Sequence, residues 1–317
     1  MTTTASPLPL LLEEIEAMRV ERLSPSFVRV EFGSPDNGCG LADLGVDGPL
    51  YDQRIKLIFP AADGRLPSFE GADESWFETW LDRPEAERGA MRTYTVRALR
   101  GTGADTRLVV DFVVHGPDDA SGPGGDWGAN AAVGQRVITM APRRGVPFGG
   151  IEFAPGTAKR LLLVGDETAV PAVASILECL PATARGAAFL EVPHAADVLT
   201  LRHPVGIDVH WLPRDGAARG EEIHAAVLEH LGEEPAAPVV GEVDPDLWET
   251  PTYSSSGEDV DVAVRVVGHE FDDLYAWIAG ESSMVTALRR ALVKDLGIDR
   301  HQVAFMGYWR LGVAMRS

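Results

Sequence analysis

Short apolar runs alternate with polar residues in the first half of the chain. Between residues 18 and 142 the runs are VERLSPSFVRVEF, QRIKLIFP, RTYTVRAL, RLVVDFVVH and GQRVITMAP, separated by glycine, proline and aspartate. Alternation with period two is typical of strands that bury one face. The pattern predicts an antiparallel β-barrel. Residues 74–91 have helical spacing, and we expect them to cross one end of that barrel.

After residue 153 the pattern changes to a buried strand, a turn and a helix, repeated. The segments RLLLVG, GAAFLEV, IDVHWLP, LYAWIAG and VAFMGYW predict strands, and four-residue apolar spacing predicts a helix over 281–296 that Gly297 ends. Such alternation is typical of a parallel sheet with right-handed crossovers. We therefore expect a β-barrel domain over 1–153 and an α/β domain over 154–317.

Residues 232–262 interrupt the second domain. They contain nine acidic residues, a Ser-Ser-Ser run and no lysine or arginine. This composition favours a flexible, solvated spacer. The alternative is that Trp248 and Tyr253 pack back on the domain.

Length and charge narrow the function. The 317 residues, 45% of them hydrophobic, are enough for two cores, and the net charge of -20 disfavours nucleic acid as a partner. No apolar run approaches the about 20 residues of a membrane helix, and the N-terminus lacks the basic start of a signal peptide. We expect a cytoplasmic protein without membrane insertion. Cys39 and Cys179 have no ligand-like neighbours, which favours neither an iron–sulfur cluster nor a disulfide framework.

Residues 92–97, RTYTVR, carry candidate cofactor contacts. On a strand Arg92 and Tyr94 share one face, and Thr93 and Thr95 share the other. A flavin dinucleotide needs a cation for its diphosphate, an aromatic or hydroxyl group beside the ring system, and hydrogen-bonding groups at the ring edge. Arg92, Tyr94 and Thr95 offer that set. The alternative is an ordinary strand, because strands are rich in tyrosine and threonine.

A glycine-rich run follows the strand that ends at His115 and leads into a helix start near Trp127. Glycines let a backbone approach a ligand closely, and free N–H groups at a helix start attract phosphate. The run is therefore a candidate pyrophosphate cradle. The alternative is a tight connection in which Trp127 is a hydrophobic plug and His115 a surface residue.

A second candidate site lies where the strand RLLLVG turns into a helix, at Gly165 to Thr168. Ligands of open parallel sheets gather at the carboxyl ends of the strands. The turn is not a GxGxxG motif, and Asp166 and Glu167 would repel a diphosphate unless backbone amides face it. Capping of the helix by Thr168 is the alternative.

Two further strand ends reach the same edge of the predicted sheet, Trp211 to Arg214 and Ala279 to Glu281. Arg214 can meet a 2′-phosphate on the adenosine ribose, which slightly favours NADPH. Ala279 and Gly280 leave room for a nicotinamide or ribose near the backbone. The alternatives are a solvated loop arginine and an ordinary turn glycine.

Aromatic residues cluster just before the chain ends, in FMGYWRLG. Trp309 at the end of the last parallel strand can lie against a flavin, with Arg310 beside it for an anionic acceptor. Burial in the core is the alternative.

Together these segments resemble the siderophore-interacting proteins, FAD-dependent ferric-siderophore reductases related to the ferredoxin reductases. The resemblance is carried, in order, by IKLIFP, MRTYTVR, VDFVVHG, GPGGDWGANAAVGQ, LLLVGDETAVPAVASILE, HWLPR, AWIAGESSMVTALRR and GYWRLG. These segments span almost the whole chain, and their joint occurrence is far more specific than any one of them.

The resemblance implies a role for each candidate residue. The flavin contacts are Arg92, Thr93, Tyr94, Thr95, Asp111, Val113, His115 and Trp309, with Trp127, Gly128 and Ala129 at the pyrophosphate. The NAD(P)H contacts are Gly165, Asp166, Glu167, Thr168, Trp211, Arg214, Ala279, Gly280 and Glu281. Lys56 and Arg310 are basic groups that receive the siderophore, and with Thr95 they are the residues expected at the reaction itself.

The implied activity is hydride transfer from NADPH or NADH to FAD and single-electron transfer to iron(III) in a ferric siderophore, which releases iron(II). No metal is expected as a resident cofactor, and we expect a monomer. Two alternatives stay open. One is a flavin reductase with another acceptor, such as free flavin, a quinone or an electron carrier. The other is a siderophore-binding module without turnover.

Overall fold

The computed structural model describes residues 8–114, 122–234, 238, 248–250, 253–254 and 270–312. The chain divides into two compact units, Met1–Ile151 and Glu152–Arg316. The first unit is all-β with short helices, and the second alternates strands and helices. No helix in the described ranges is long and apolar enough to cross a membrane.

The first unit is an antiparallel barrel, as the alternating pattern predicts. Its strands are β1 (Leu10–Arg22), β2 (Phe27–Gly33), β3 (Arg54–Phe59), β4 (Ala90–Thr95), β5 (Ala98–Arg100), β6 (Arg107–Val113) and β7 (Arg136–Pro142). Their order across the sheet is β4-β3-β7-β1-β2-β6-β5. The strands at the two ends of this order, β4 and β5, are consecutive in the chain.

The change of partner between β4 and β5 closes the sheet on itself. The Val96 backbone N–H donates to Gln53 O on the β3 side (2.8 Å), and the next N–H, of Arg97, donates to Val109 O on β6 (3.0 Å). One bent strand thus joins both ends of the sheet, which satisfies backbone groups that an open edge would expose.

The predicted helix over 74–91 forms as two short helices, α1 (Trp76–Leu81) and α2 (Glu85–Arg88). The expectation that it crosses a barrel end is wrong. Trp76 and Trp80 pack on Ile58 and Ile138. The residues next to these isoleucines along the chain face the barrel interior, so the isoleucines face outward and α1 covers the outer wall. Ile58 on β3 and Ile138 and Met140 on β7 form an apolar patch on the outer wall, and this patch requires a cover.

Helix α3 (Pro123–Ala129) packs against the barrel's interior cluster instead. Glycines permit this approach, because a Cβ on Gly124 would lie 2.2 Å from Tyr94 Oη and one on Gly128 2.7 Å from Phe112 Cβ. Trp127 stacks on Phe32 with ring centroids 5.8 Å apart. An aromatic cluster of five side chains results: Phe32, Phe59, Tyr94, Phe112 and Trp127.

The second unit is built on a parallel sheet, as predicted. Its strands are β8 (Arg160–Gly165), β9 (Gly186–Val192), β10 (Ile207–Pro213), β11 (Trp248–Thr250), β12 (Tyr253–Ser254), β13 (Leu274–Glu281) and β14 (Val303–Trp309). Their order is β10-β9-β8-β13-β14-β11-β12, and the first five in this order run parallel. The chain winds outward from β8 in both directions, so the topological switch point lies between β8 and β13.

The helices of the second unit are α4 (Val170–Cys179), α5 (Glu221–His230) and α6 (Ser282–Arg289). Helix α6 continues as a π-helical turn over Arg290–Asp295, so the predicted helix over 281–296 is observed. Its first residue is an N-cap, because the Glu281 carboxylate accepts from the Ser283 and Met284 N–H groups. Gly297 ends it with a positive φ of 66°.

Short strands replace the solvated spacer in the described part of 232–262. Strand β11 pairs antiparallel with β14, and β12 pairs with β11. Trp248 stacks on Tyr308 at 5.9 Å, and the Glu249 carboxylate accepts from Arg289 Nε at 2.6 Å. These contacts match the alternative in which the insertion packs back on the domain. Most of the segment lies outside the described residues.

Candidate functional site

The strand β4 separates its candidate side chains onto two faces, as the alternation predicts. Tyr94 joins the aromatic cluster inside the barrel, and Arg92 shares that side of the strand. On the other side the Lys56 ammonium donates to Thr93 Oγ1 at 2.7 Å, and Thr95 is buried.

The free edge of β4 brings the two faces within reach of one ligand. Within the described residues, Ala90–Thr95 pair with β3 alone, and pairing with β6 begins only after the strand bends. A flat molecule lying along that edge can touch side chains of both faces, because the edge is where the faces meet.

Three cations lie close together beside this edge, Arg54 and Lys56 on β3 and Arg92 on β4, and are here called the basic cluster. Burial lowers the pKa of Lys56, and the charges of Arg54 and Arg92 lower it further. Burial also raises the pKa of Tyr94, so its phenol stays neutral, although Arg92 opposes the shift. In a chain of net charge -20 the basic cluster is a local positive region.

Asp111 lies on the opposite face of β6 from the interior residues Val110 and Phe112. Arg29 Nε and one terminal nitrogen each donate to it at 2.7 Å, and its side chain is 3% exposed. Its carboxylate is thus engaged within the protein. Val113 is the last residue of β6, and His115 lies outside the described residues.

The predicted pyrophosphate residues belong to α3. Trp127 packs in the aromatic cluster, which matches the plug alternative, while Gly128 is buried against Phe112 and Ala129 is exposed. The contact of this segment with a pyrophosphate stays a prediction.

Two glycines shape the switch point of the second unit. Gly165 ends β8, and a Cβ there would lie 2.5 Å from Ala169 Cβ. Gly280, near the end of β13, has a φ of 145°, and a Cβ would lie 2.7 Å from Asp166 Cγ. A side chain at Gly165 would displace the turn at Ala169, and one at Gly280 would displace Asp166. Ala279, buried before Gly280, pairs with Gly165 across the two strands.

Asp166 holds together the ends of three strands. Its Oδ1 accepts from the Thr168 N–H (2.9 Å) and hydroxyl (2.6 Å), and its Oδ2 accepts from the Glu281 N–H (2.8 Å) and Trp309 Nε1 (2.8 Å). Thr168 thus does not cap the helix with its side chain. Burial raises the pKa of Asp166 and Glu167 beside it adds to the rise, while the donors from Thr168 and Trp309 oppose it.

Arg214 lies between two buried carboxylates at the ends of β8 and β9. It donates to Glu167 Oε2 (2.8 Å) and Oε1 (3.1 Å) and to Glu191 Oε1 (2.9 Å), and its side chain is 9% exposed. Arg219 also donates to Glu167, at 2.5 Å. Burial favours the neutral form of Glu167, but the two arginines hold its pKa below the usual value. We call these four side chains, with Asp166, the carboxylate–arginine network.

Trp309 joins this network through its ring. The guanidinium of Arg219 lies over the indole, 4.7 Å from the ring centroid, while the indole N–H bonds to Asp166. Trp211 is half-buried on β10, and Arg310 follows β14 and is half-buried. The structure thus brings Asp166, Glu167, Arg214, Glu281 and Trp309 together at one end of the sheet.

The sequence reasoning missed Glu191 and Arg219. Glu191 accepts the Gly220 N–H through both carboxylate oxygens, at 3.1 and 2.9 Å, and is fully buried. Its signal was a charged residue at the carboxyl end of an otherwise apolar strand, FLEV. Arg219 carried a weaker signal, because an arginine before a helix is commonly solvated.

Comparison with known proteins places both units in one family. The family model described as Siderophore-interacting protein matches residues 158–312, and the model described as Siderophore-interacting FAD-binding domain matches residues 16–146. The ferric vibriobactin reductase of Vibrio cholerae is 30% identical over 301 residues, which are 94% of this chain and 89% of that protein. The NADPH-dependent ferric-chelate reductase of Escherichia coli is 26% identical over 95% of this chain and 93% of that protein.

A solved structure supports the same placement. The crystal structure of a siderophore utilization protein from T. fusca superposes with a TM-score of 0.66 at 30% identity, over 99% of this chain and 98% of that one. A ferredoxin reductase of carbazole 1,9a-dioxygenase, with a TM-score of 0.52 at 17% identity, shares the fold.

We predict that Asp166→Asn lowers the free energy of unfolding by about 2 kcal/mol or more, because an amide NH2 in place of one oxygen faces two buried donors. Chemical denaturation measures this. Asp208→Asn, at an exposed position of β10, is the matched control and should change little. If Asp166→Asn lowered the free energy of unfolding no more than the control does, the four hydrogen-bond donors around Asp166 would not require a carboxylate.

Proposed function

The chain belongs to the siderophore-interacting protein family, and we propose that it is an NAD(P)H-dependent, FAD-containing reductase that releases iron from a ferric siderophore as iron(II). The observation that carries the proposal is the pairing of β3 with β4, which brings the phenol ring of Tyr94 and the basic cluster together on two neighbouring strands of the FAD-binding unit. The related reductases of V. cholerae and E. coli, which extend over nearly the whole chain, support it.

The side chains of β4 fit a flavin dinucleotide. Arg92 supplies the cation that a diphosphate requires, and Tyr94 supplies a neutral aromatic surface whose phenol stays protonated. Thr95 adds a hydroxyl near the bend where β4 leaves β3, suited to the edge of a ring. FAD, when bound, takes a hydride from the nicotinamide and gives up electrons one at a time.

The end of the second sheet fits a nicotinamide dinucleotide. The switch point between β8 and β13 is where parallel α/β sheets bind nucleotides, and it is bordered here by Gly165 and Gly280, which have no side chains. Ala279 adds only a methyl group, so none of these three buried positions carries a bulky side chain that would obstruct a ribose or a nicotinamide. The Asp166 hydrogen bonds hold the surrounding strand ends in one arrangement.

The basic cluster gives an anionic ferric chelate a place to bind. Many ferric siderophores are anionic, and the chain as a whole repels them. Lys56 and Arg54 on β3 and Arg92 on β4 concentrate positive charge. Oxygen donors hold iron(II) far less tightly than iron(III), so reduction releases the metal.

These residues act by placement. No side chain has to form a covalent bond, and the chain's contribution is to orient the donor and the acceptor and to supply charge at the chelate. Lys56, Arg310 and Thr95 are the residues that we propose at the reacting groups, and the remaining candidates hold the cofactors.

The acceptor decides between this function and its closest alternative. We expect steady-state turnover with ferric chelates, followed by trapping of iron(II), to exceed turnover with free FAD at equal concentrations. A preference for free flavin would instead make the chain a flavin reductase. A purified protein that is colourless and cannot be reconstituted with FAD would favour a binding module without turnover.

We predict that Arg92→Ala weakens FAD retention about tenfold, because a charge-assisted hydrogen bond to a diphosphate contributes about 1.5–3 kcal/mol. The ratio of flavin to protein absorbance after purification measures it. Arg65→Ala, at an exposed arginine of the same unit, should keep its flavin. Equal flavin content in the two variants would refute the assignment of Arg92.

We predict that Lys56→Ala raises the apparent KM for an anionic ferric chelate severalfold and leaves flavin reduction by the nicotinamide unchanged. The lowered pKa of Lys56 also predicts that the KM for the chelate depends on pH. The ammonium loses its charge as the pH rises through that pKa, so the wild-type KM should rise at a pH below the ordinary lysine range, about 10.4. Stopped-flow and steady-state rates separate the two half-reactions.

Lys159→Ala, at an exposed lysine of the second unit, is the control and should leave both rates unchanged. Kinetics of Lys56→Ala that match this control at every pH would remove Lys56 from the chelate site.

A further inference from the structure

The ends of β9 and β10 are the places where a parallel nucleotide-binding sheet distinguishes NADH from NADPH. An acidic residue at such an end suits the ribose 2′-hydroxyl of NADH, and an arginine accommodates the 2′-phosphate of NADPH. In this chain the acid is Glu191, the second-last residue of β9, and the arginine is Arg214, which follows β10. The hydrogen-bond partners of Glu191 and Arg214 therefore indicate which dinucleotide the site accepts.

Arg214 already has its partners. Three hydrogen bonds of 2.8 to 3.1 Å tie it to Glu167 and Glu191, both of which are fully buried. A phosphate that took this guanidinium would have to displace a carboxylate and leave it buried without its cation. Removing one partner of a buried ion pair is strongly unfavourable. Arg214 is thus a poor receptor for a 2′-phosphate.

The negative charge around Arg214 also disfavours a 2′-phosphate at this position. Four buried carboxylates lie at the ends of β8, β9 and β13 beside the two guanidiniums of Arg214 and Arg219: Asp166, Glu167, Glu191 and Glu281. Arg219 is itself engaged with Glu167 and with the Trp309 ring. A phosphate monoester brings a further charge of about -1.5 to -2, whereas a 2′-hydroxyl brings none.

We propose that this reductase is selective for NADH, and that Glu191 sets the selectivity by holding Arg214 away from a 2′-phosphate. The proposal rests on the proposed function and specifies its electron donor. Glu191 is a positioning residue here, because it is fully buried and acts through Arg214 and through the Gly220 N–H.

The test compares kcat/KM for reduction of the bound flavin by NADH and by NADPH. We expect the wild type to favour NADH by about tenfold or more. Glu191→Gln keeps an oxygen for the Gly220 N–H but removes the charge that faces Arg214. The NADPH-to-NADH ratio should therefore rise severalfold in this variant.

Glu178→Gln is the matched control. It removes the same charge from the same unit, but its carboxylate pairs with the exposed Arg202 at the far end of α4. The nucleotide ratio should stay at the wild-type value in this variant. A rise equal to that of Glu191→Gln would show a general charge effect and overturn the proposal.

Arg214→Gln supplies the opposite test. Our proposal predicts that its nucleotide ratio stays near that of the wild type, whereas an arginine that reads a 2′-phosphate would lose NADPH selectively when replaced. A selective loss of NADPH, or a wild type that favours NADPH, overturns the proposal. Should Arg214→Gln fail to fold, the Glu191→Gln comparison remains decisive.

Binding of NAD+ and NADP+ to the oxidised protein, measured by calorimetry, separates this proposal from the proposed function. Tighter binding of NAD+ together with no reduction of flavin would keep the selectivity and refute the reductase. Equal or tighter binding of NADP+ together with rapid flavin reduction would keep the reductase and refute the selectivity.

Discussion

The carboxylate–arginine network at the ends of the parallel strands determines the shape of the second unit's site. Buried charges are tolerated only when they are paired and hydrogen-bonded. Here the pairing joins Glu167 after β8, Glu191 on β9 and Arg214 after β10, so the loops that follow three strands have one arrangement. Asp166 extends the same constraint to β13 and β14 through Glu281 and Trp309. The ends of five strands are therefore held in one arrangement by buried side chains.

The barrel provides a second constraint by different means. Its sheet closes where the chain changes partner at Val96 and Arg97, and this leaves the earlier part of β4 paired on one side only. The edge is supported from within by the aromatic cluster, and the glycines of α3 allow that helix to pack against it. The phenol of Tyr94 and the guanidinium of Arg92 on β4, and the ammonium of Lys56 on the paired strand β3, are therefore held on strands of one sheet. Rigid elements hold binding groups more precisely than loops do.

Local periodicity was enough to predict most of the fold. The alternation in RTYTVR placed Arg92 and Tyr94 on one face of β4, and four-residue spacing with Gly297 at its end located the helix that follows Glu281. Local periodicity did not predict how the elements pack on one another. The spacing in 74–91 indicates a helix but does not indicate which part of the barrel the helix covers. The sequence around Trp127 is equally compatible with a ligand contact and with a hydrophobic plug. Arg214 shows the same limit. Its position after a strand is visible in the sequence, but its partners are Glu167 after β8 and Glu191 on β9, which only the folded sheet brings together.

The central claim is that a flavin in this chain carries electrons from a nicotinamide to iron(III) in a siderophore, and sequential anaerobic spectra test it most directly. The purified protein should be yellow, lose its flavin absorbance when NADH is added, and regain it when a ferric siderophore follows, with iron(II) appearing in a ferrous-specific chelator. A flavin that the nicotinamide bleaches but the ferric siderophore fails to reoxidise would contradict the account.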